Sequence, residues 1–280
     1  MKKVVLSTFL AAPTLMAGAA YLTPTHNVQH IDYKLVDEAM VIIPVENQEF
    51  ADAAAQLYLQ PSGFHLTPDF SNVSTLDMPE VVSGGTLDDA VNQGEAQLVQ
   101  AIETAYDGGQ GDISADNPLY VFGYSQSDVV MGMAEQQLHA DGIPQGDLDF
   151  VMVGDSASAE GGFLNAYIES LPTWLQPYVT QVFDQFGAGE VLGQVTPDNL
   201  YPTQVYSLSG DGWSIYDNGA NDLGMYSDHL EYLGLTPQEI ASAGPPLIDH
   251  LTEYFTIQDS MVNSLEALWT QLQIADSVLF

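Results

Sequence analysis

The stretch Leu119-Tyr-Val-Phe-Gly-Tyr-Ser-Gln-Ser-Asp128 decides the fold, because two kinds of hydrophobic pattern meet in it. The unbroken apolar run Leu119–Phe122 predicts a short buried strand, and from Asp128 onward the apolar residues recur at helical spacing. Ser125 lies in the turn between them. A serine on a sharp strand-to-helix turn stands above the sheet edge, where the free N–H groups of the helix face whatever its oxygen attacks. The stretch therefore predicts either a nucleophile elbow or a serine that only caps a helix.

The segments around this stretch predict an alternation of strands and helices. Further predicted strands are Met40–Ile43, Leu148–Val153 and Gln204–Leu208, and an amphipathic helix begins at Thr86. The order strand, helix, strand, helix, strand is typical of a parallel sheet with helical crossovers. The sequence therefore predicts an α/β fold with a mainly parallel sheet and flanking helices.

An aromatic-rich segment follows the strand Leu148–Val153. It covers residues 161–194 and is interrupted by Pro172 and Pro177. Such a segment predicts a lid-like insertion that lines a pocket for an acyl chain, or alternatively two short helices in ordinary core packing.

The charge balance limits the partners that the chain can bind. Its 280 residues include 38 acidic residues against three lysines and no arginine, which gives a formal net charge of −35. Such a chain lacks the cations that replace counterions on nucleic-acid phosphates, and an anionic membrane surface would repel it. We therefore expect no nucleic-acid partner.

The chain contains no cysteine. Disulfide bonds, thiolate nucleophiles and zinc–thiolate sites are therefore excluded. The hydrophobic content of 46% is sufficient for a large folded core. We expect the chemistry of the site to need neither a metal nor an organic cofactor.

The N-terminus carries an export signature. Met1-Lys-Lys3 is a basic start, the residues up to Met16 are mostly apolar, and Ala17-Gly-Ala19 are small residues of the kind that precede signal-peptide cleavage. We expect an exported protein, secreted or held in the cell envelope, with residues 1–19 removed. An uncleaved membrane anchor is the alternative.

The C-terminal residues 258–280 predict an amphipathic helix. Its apolar residues recur at alternating spacings of four and three: Met261, Leu265, Leu268, Leu272, Ala275 and Leu279. We expect this helix to dock on the folded domain, with a partner helix or a neutral lipid surface as the alternative. The predicted organisation is a signal peptide over 1–19, an N-terminal extension over 20–39, a folded domain over 40–257 and this helix.

Candidates for an acid and a base follow the serine along the chain. Asp211 lies on a Gly-rich turn directly after the strand Gln204–Leu208, where an orienting carboxylate is expected. Its rivals nearby are Asp217, Asp222 and Asp228. Among the six histidines, His229 is favoured as the base because it lies in a loop after this turn. His250 is the rival, and its apolar surroundings predict that it packs in the core.

Several stretches together resemble the PE-PPE domain, the cutinase-like serine hydrolase module of mycobacteria and their relatives. They extend over residues 40–255 and comprise Val41-Ile-Ile-Pro44, Gly123-Tyr-Ser-Gln-Ser127, Phe150-Val-Met-Val-Gly154 with Gly161-Gly162, Gly210-Asp-Gly212, and His229 with Tyr232. The resemblance implies an α/β-hydrolase fold, a Ser–Asp–His triad and activity on acyl esters. Some related exported proteins transfer acyl chains between trehalose glycolipids.

By this resemblance, Ser125 is the nucleophile, His229 the base and Asp211 the acid that orients it. The N–H of Gln126 is one donor of the oxyanion hole, and the second is expected from the loop after the first strand. That loop reads Val45-Glu-Asn-Gln48, where the family usually has a Gly-rich turn.

The implied function is an exported serine esterase or lipase that forms an acyl-enzyme on an acyl-ester substrate. One alternative is an acyltransferase that uses a glycolipid as the acceptor. A second is a catalytically weak module that binds lipid or a cell-envelope partner. Peripheral association with a membrane or with the cell envelope is expected in each case.

Overall fold

The computed structural model of the protein describes residues 38–43, 47–79, 85–107 and 113–279. The expected signal peptide, and all but the last residues of the expected N-terminal extension, lie outside these ranges. Within them, no helix combines the length and the hydrophobicity needed to cross a bilayer.

A single sheet of seven strands forms the centre of the fold. The strands are β1 (Ala39–Ile43), β2 (Val73–Asp77), β3 (Leu119–Tyr124), β4 (Leu148–Val153), β5 (Thr203–Leu208), β6 (Leu247–Asp249) and β7 (Thr252–Ile257). Their order across the sheet is β2-β1-β3-β4-β5-β7-β6, and every neighbouring pair is parallel except β6 and β7. The prediction of a mainly parallel α/β sheet is therefore confirmed.

Helices cover both faces of the sheet. They are α1 (Gln48–Ala54, continued by a π-helical turn to Leu59), α2 (Leu87–Asp107), α3 (Gln126–Asp141), α4 (Phe163–Ser170), α5 (Gln176–Gln185), α6 (Pro237–Ile240) and α7 (Ser264–Leu279). Successive residues of a strand point to opposite faces, so Val121 packs in the cluster that contains α2 and α3, and Phe122 in the cluster that contains α1. The result is a three-layer α/β-hydrolase fold.

The chain changes direction across the sheet between β1 and β3. Strand β1 is followed by β2 on one side, whereas β3 is followed by β4 on the other. In open parallel sheets, such a switch point leaves a crevice at the carboxyl ends of the strands, and ligands bind there. The fold therefore places the carboxyl end of β1 and the turn after β3 beside each other at the expected position of a site.

Helix α7 docks on the domain with two residues of its predicted apolar stripe exposed. Leu265 is 83% exposed and Leu272 is also exposed, whereas Ala267 is buried. The docking face is set by a close approach of two backbones, since a Cβ atom on Gly234 would lie only 1.8 Å from the Ala267 carbonyl oxygen. Ala267 is buried in the hydrophobic cluster that contains α1, and Ile274 packs against the same cluster. Hydrophobic spacing alone does not predict which side of a helix allows so close a backbone approach.

Candidate active site

Ser125 lies on a strained turn at the carboxyl end of β3. Its backbone has φ 61° and ψ −118°, a conformation that L-residues rarely adopt. The N–H of Ser125 donates to the Val153 carbonyl at 3.0 Å, which ties the turn to β4. Gly123 makes the turn possible, because a Cβ atom there would lie 2.3 Å from Met131 Sδ and 2.6 Å from Asp128 Oδ1. This is the geometry expected of a nucleophile elbow.

The structure brings the three predicted residues into one hydrogen-bonded row. His229 Nε2 lies 2.7 Å from Ser125 Oγ, and His229 Nδ1 lies 2.8 Å from Asp211 Oδ2. Because a carboxylate oxygen accepts, Nδ1 carries the proton and Nε2 is free to accept from the serine hydroxyl. Asp211 is fully buried and His229 is 7% exposed, so water does not compete for their contact.

Asp211 is held by donors from four groups. Its Oδ2 atom accepts from His229, from the Tyr232 hydroxyl at 2.8 Å and from Ser214 Oγ at 3.0 Å, and its Oδ1 atom accepts from the Trp213 N–H at 2.9 Å. Tyr232 in turn accepts from the N–H of Leu208, the last residue of β5. The carboxylate is thereby fixed relative to the sheet.

His229 is positioned above the carboxyl end of β4, between the strands that precede Ser125 and Asp211. It lies in a short 3₁₀ turn, Asp228–Leu230. Gly154, directly after β4, has φ 72°, and a Cβ atom there would lie 3.1 Å from His229 Cε1. A glycine at this position therefore provides both the backbone conformation and the space that the imidazole requires.

The backbone of His229 is anchored by a residue that the sequence did not single out. The Tyr124 hydroxyl donates to the His229 carbonyl oxygen, and the two rings lie with centroids 5.6 Å apart. Ser214, whose hydroxyl donates to Asp211 Oδ2, was also missed. Tyr124 has one recognisable signal, its place immediately before the serine of the elbow, whereas Ser214 has only its nearness to Asp211 in the chain.

The rival residues have other partners. His250 does not pack in the core as predicted: its side chain is 61% exposed in the turn between β6 and β7, where it contacts Asp198 and Asp249. The turn precedes β7 and so lies at the amino ends of the parallel strands, whereas Ser125 lies at their carboxyl ends. Among the rival acids, Asp217 accepts from the N–H of Asn221, and Asp228 from Ser227 Oγ.

Gln126 begins α3, so its N–H belongs to the first helical turn, which lacks intrahelical acceptors. Its side chain is fixed by a hydrogen bond from Nε2 to the Pro79 carbonyl at 3.1 Å. The loop expected to carry a second oxyanion donor includes residues 44–46, which lie outside the described residues.

An aromatic row leads from His229 into the lid-like segment. The His229 and Trp213 ring centroids are 6.4 Å apart, and Trp213 contacts Phe163 of α4 edge to face at 5.0 Å. Phe163 also stacks on Tyr167 at 5.1 Å. Phe163 is buried in the hydrophobic core and Tyr167 packs against it, so Trp213 is the member of the row that lies beside His229.

Three buried acids without basic partners lie near the elbow: Asp128, Glu135 and Asp155. Burial raises the pKa of Asp128 and of Glu135 well above the ordinary range, and the nearby Asp155 charge raises both further. Burial also raises the pKa of Asp155 to about 6, against hydrogen bonds from Thr196 and the Ala157 N–H that favour its charged form.

Known proteins resemble this chain in sequence and in fold. A family profile for the PE-PPE domain matches residues 64–220. An uncharacterized PPE family protein, PPE28, of Mycobacterium tuberculosis is 29% identical over 201 residues, and Esterase PE16 of the same species is 28% identical over 175 residues. These alignments cover 67% and 56% of this chain, and 28% of each relative.

Solved structures that resemble the chain include two esterases. The thermostable carboxylesterase EstE1 from a metagenomic library superposes with a TM-score of 0.40 at 13% identity, over 88% of this chain and 78% of that one. A Pyrobaculum calidifontis esterase gives a TM-score of 0.39 at 12% identity, over 89% and 80%. The profile match extends over more than half of the sequence and includes both Ser125 and Asp211. The chain belongs to the PE-PPE domain family.

Proposed function

We propose that the protein is a serine esterase that hydrolyses acyl esters through an acyl-enzyme intermediate. The observation that carries this proposal is the row Ser125–His229–Asp211, with contacts of 2.7 and 2.8 Å, on a strained elbow at the carboxyl ends of the strands. The relative named Esterase PE16 supports the same class of reaction.

In the proposed reaction, Ser125 Oγ attacks the ester carbonyl while His229 Nε2 takes its proton. The tetrahedral oxyanion faces the Gln126 N–H, at the positive end of α3. Collapse of this intermediate breaks the ester bond, and the leaving alcohol takes the proton back from His229. Water, deprotonated by the same nitrogen, then releases the carboxylic acid. Asp211 holds the imidazole and stabilises its charged form throughout.

Two features support an uncharged, apolar acyl ester as the substrate. The half-buried Trp213 offers an apolar surface beside His229, and Phe163 holds its ring from the core side. In addition, residues 35–280 contain no lysine or arginine that could bind an anionic group. Chain-length preference would be measured with p-nitrophenyl esters from acetate to palmitate.

The outer face of α5 supports peripheral association with a lipid surface. Four large apolar residues follow one another at intervals of four along and beside this helix and are exposed: Trp174, Tyr178, Val182 and Phe186. In an exported protein, such a face suits an uncharged lipid of the envelope. To test this association, Trp174 and Phe186 are replaced by serine, and the variant should no longer float with neutral lipid vesicles. N-terminal sequencing of secreted protein tests cleavage after residue 19.

Transfer of the acyl group to a glycolipid is the second candidate, because hydrolysis and transfer share the same acyl-enzyme. Product analysis in the presence of trehalose or an acyl-trehalose separates them: a transferase yields a new ester, whereas an esterase yields free acid whatever the acceptor. A lipid-binding module without catalysis yields neither product, although it still binds the vesicles.

The deciding experiment compares the wild type with Ser125→Ala and with the control Ser71→Ala, an exposed serine in the loop before β2. We expect turnover of p-nitrophenyl esters and labelling by a fluorophosphonate probe in the wild type and the control, and neither in Ser125→Ala. Absence of turnover in the wild type, equal turnover by Ser125→Ala, or labelling at another residue would refute the proposal.

A further inference from the structure

The C-terminal helix α7 contacts three segments beside the candidate site. Gln271 Nε2 donates to the Tyr124 hydroxyl at 3.0 Å, next to Ser125, and Gln271 Oε1 accepts from the Leu233 N–H at 2.9 Å, in the turn after His229. One turn further along α7, the Ile274 carbonyl accepts from Asn47 Nδ2 at 3.3 Å, where the loop after β1 ends. This helix lies outside the segment matched by the family profile.

The orientation of the Gln271 amide follows from its partners. A backbone N–H can only donate, so the atom that faces Leu233 is the amide oxygen, and the NH₂ group therefore faces Tyr124. The Tyr124 hydroxyl accepts this bond and has a single hydrogen of its own. That hydrogen is consequently directed to its other partner, the His229 carbonyl oxygen.

We propose that Gln271 is a positioning residue, which uses Tyr124 as a relay to hold the backbone of His229 in register with Ser125. The proposal rests on the proposed function, in which His229 Nε2 accepts the Ser125 proton. The chain of donors runs in one direction, from Gln271 to Tyr124 to His229, and the bond from Leu233 keeps its first member from rotating.

The substitution Gln271→Glu tests this direction of hydrogen-bond donation with almost no change in side-chain shape. The new carboxylate still accepts from Leu233, but it cannot donate to Tyr124. It accepts the Tyr124 hydrogen instead, and the His229 carbonyl loses its donor. The matched control is Gln273→Glu, which adds the same charge to the same helix at an exposed position.

We expect Gln271→Glu to lower kcat for a p-nitrophenyl ester by about tenfold on the pH plateau, with KM unchanged. Gln273→Glu should retain the wild-type kcat. In a Tyr124→Phe background, which lacks the relay, Gln271→Glu should have no further effect on kcat. A purely structural role of α7 would lower the melting temperature of Gln271→Glu without this dependence on Tyr124.

The imidazole ¹⁵N–¹H signal of His229 provides a readout that needs no turnover. It should shift in Gln271→Glu and in Tyr124→Phe, and remain in place in Gln273→Glu. If the wild type hydrolyses no ester but the signal shifts in these two variants, the proposed function is refuted and the positioning role is retained. If Gln271→Glu does not fold, Tyr124→Phe carries the test. An unchanged His229 signal and unchanged kcat in the folded variants would overturn the inference.

Discussion

Replacing Tyr232 by phenylalanine removes one hydroxyl from the hydrogen bonds around Asp211 and leaves the ring in place. That hydroxyl donates to Asp211 Oδ2 at 2.8 Å and accepts from the Leu208 N–H at 2.8 Å. Tyr232 is fully buried, so water does not take over either role. The substitution therefore affects both stability and the orientation of the carboxylate.

The magnitude of each effect follows from these contacts. Leaving the buried Leu208 N–H without this acceptor should lower the free energy of unfolding by about 1–3 kcal/mol. Asp211 keeps Ser214 and His229 as donors to the same oxygen. A hydrogen bond to a charged group is worth about 1.5–3 kcal/mol, and about 1.4 kcal/mol corresponds to a tenfold change in rate. We expect kcat to fall about 10- to 100-fold, with KM nearly constant because Tyr232 does not reach the substrate.

Tyr58→Phe is the matched control. Tyr58 is equally buried, and its hydroxyl donates to the Tyr232 carbonyl at 2.7 Å rather than to Asp211. Both variants should show similar losses in urea denaturation, whereas kcat for a p-nitrophenyl ester should fall only in Tyr232→Phe. Equal losses of kcat in the two folded proteins, or none in Tyr232→Phe, would show that Tyr232 does not act through Asp211.

Two further predictions concern backbone space and pH. Gly154→Ala should lower kcat because its Cβ atom would lie 3.1 Å from His229 Cε1. The control Gly161→Ala also has a positive φ but meets no atom within 4 Å, so it should lose stability without losing kcat. Thermal melts and kcat measured on both variants separate the two effects. Burial raises the pKa of Asp155 to about 6, so the folded state binds its proton more tightly than the unfolded state. The free energy of unfolding should therefore fall as pH rises from about 4 to about 6, by up to about 3 kcal/mol. Urea denaturation from pH 4 to 7 should show a smaller loss in Asp155→Asn, and an identical slope in both proteins would exclude Asp155 as the cause.

The parts of the fold that the sequence predicted are those with a strong hydrophobic signal. Strands β3 and β4 lie inside the sheet with helices on both faces, so apolar residues dominate each of them. Strand β2 was missed because it lies at the edge of the sheet and includes the half-buried Ser74 and Thr75. No apolar run marks such a strand.

The row Ser125–His229–Asp211 could be inferred because Ser125 and Asp211 each follow a predicted strand. The order of serine, acid and histidine along the chain, with elimination among the histidines, then selects His229. Gln271 could not, since its contact with Tyr124 joins residues 147 positions apart and involves no hydrophobic surface. Only the three-dimensional arrangement reveals contacts made through polar atoms on separate elements.

Residues 35–280 contain no lysine or arginine, so a buried acid there either accepts hydrogen bonds from other donors or keeps its proton. Donors from four groups converge on Asp211: His229, Tyr232, Ser214 and the Trp213 N–H. Glu135 is buried as deeply, neither of its carboxyl oxygens has a hydrogen-bond partner, and burial raises its pKa well above the ordinary range. Glu135 therefore keeps its proton, because its surroundings supply no hydrogen-bond donor to a carboxylate. The number of donors thus distinguishes Asp211 from Glu135, and it favours Asp211 as the acid that orients His229 independently of its position in the sequence.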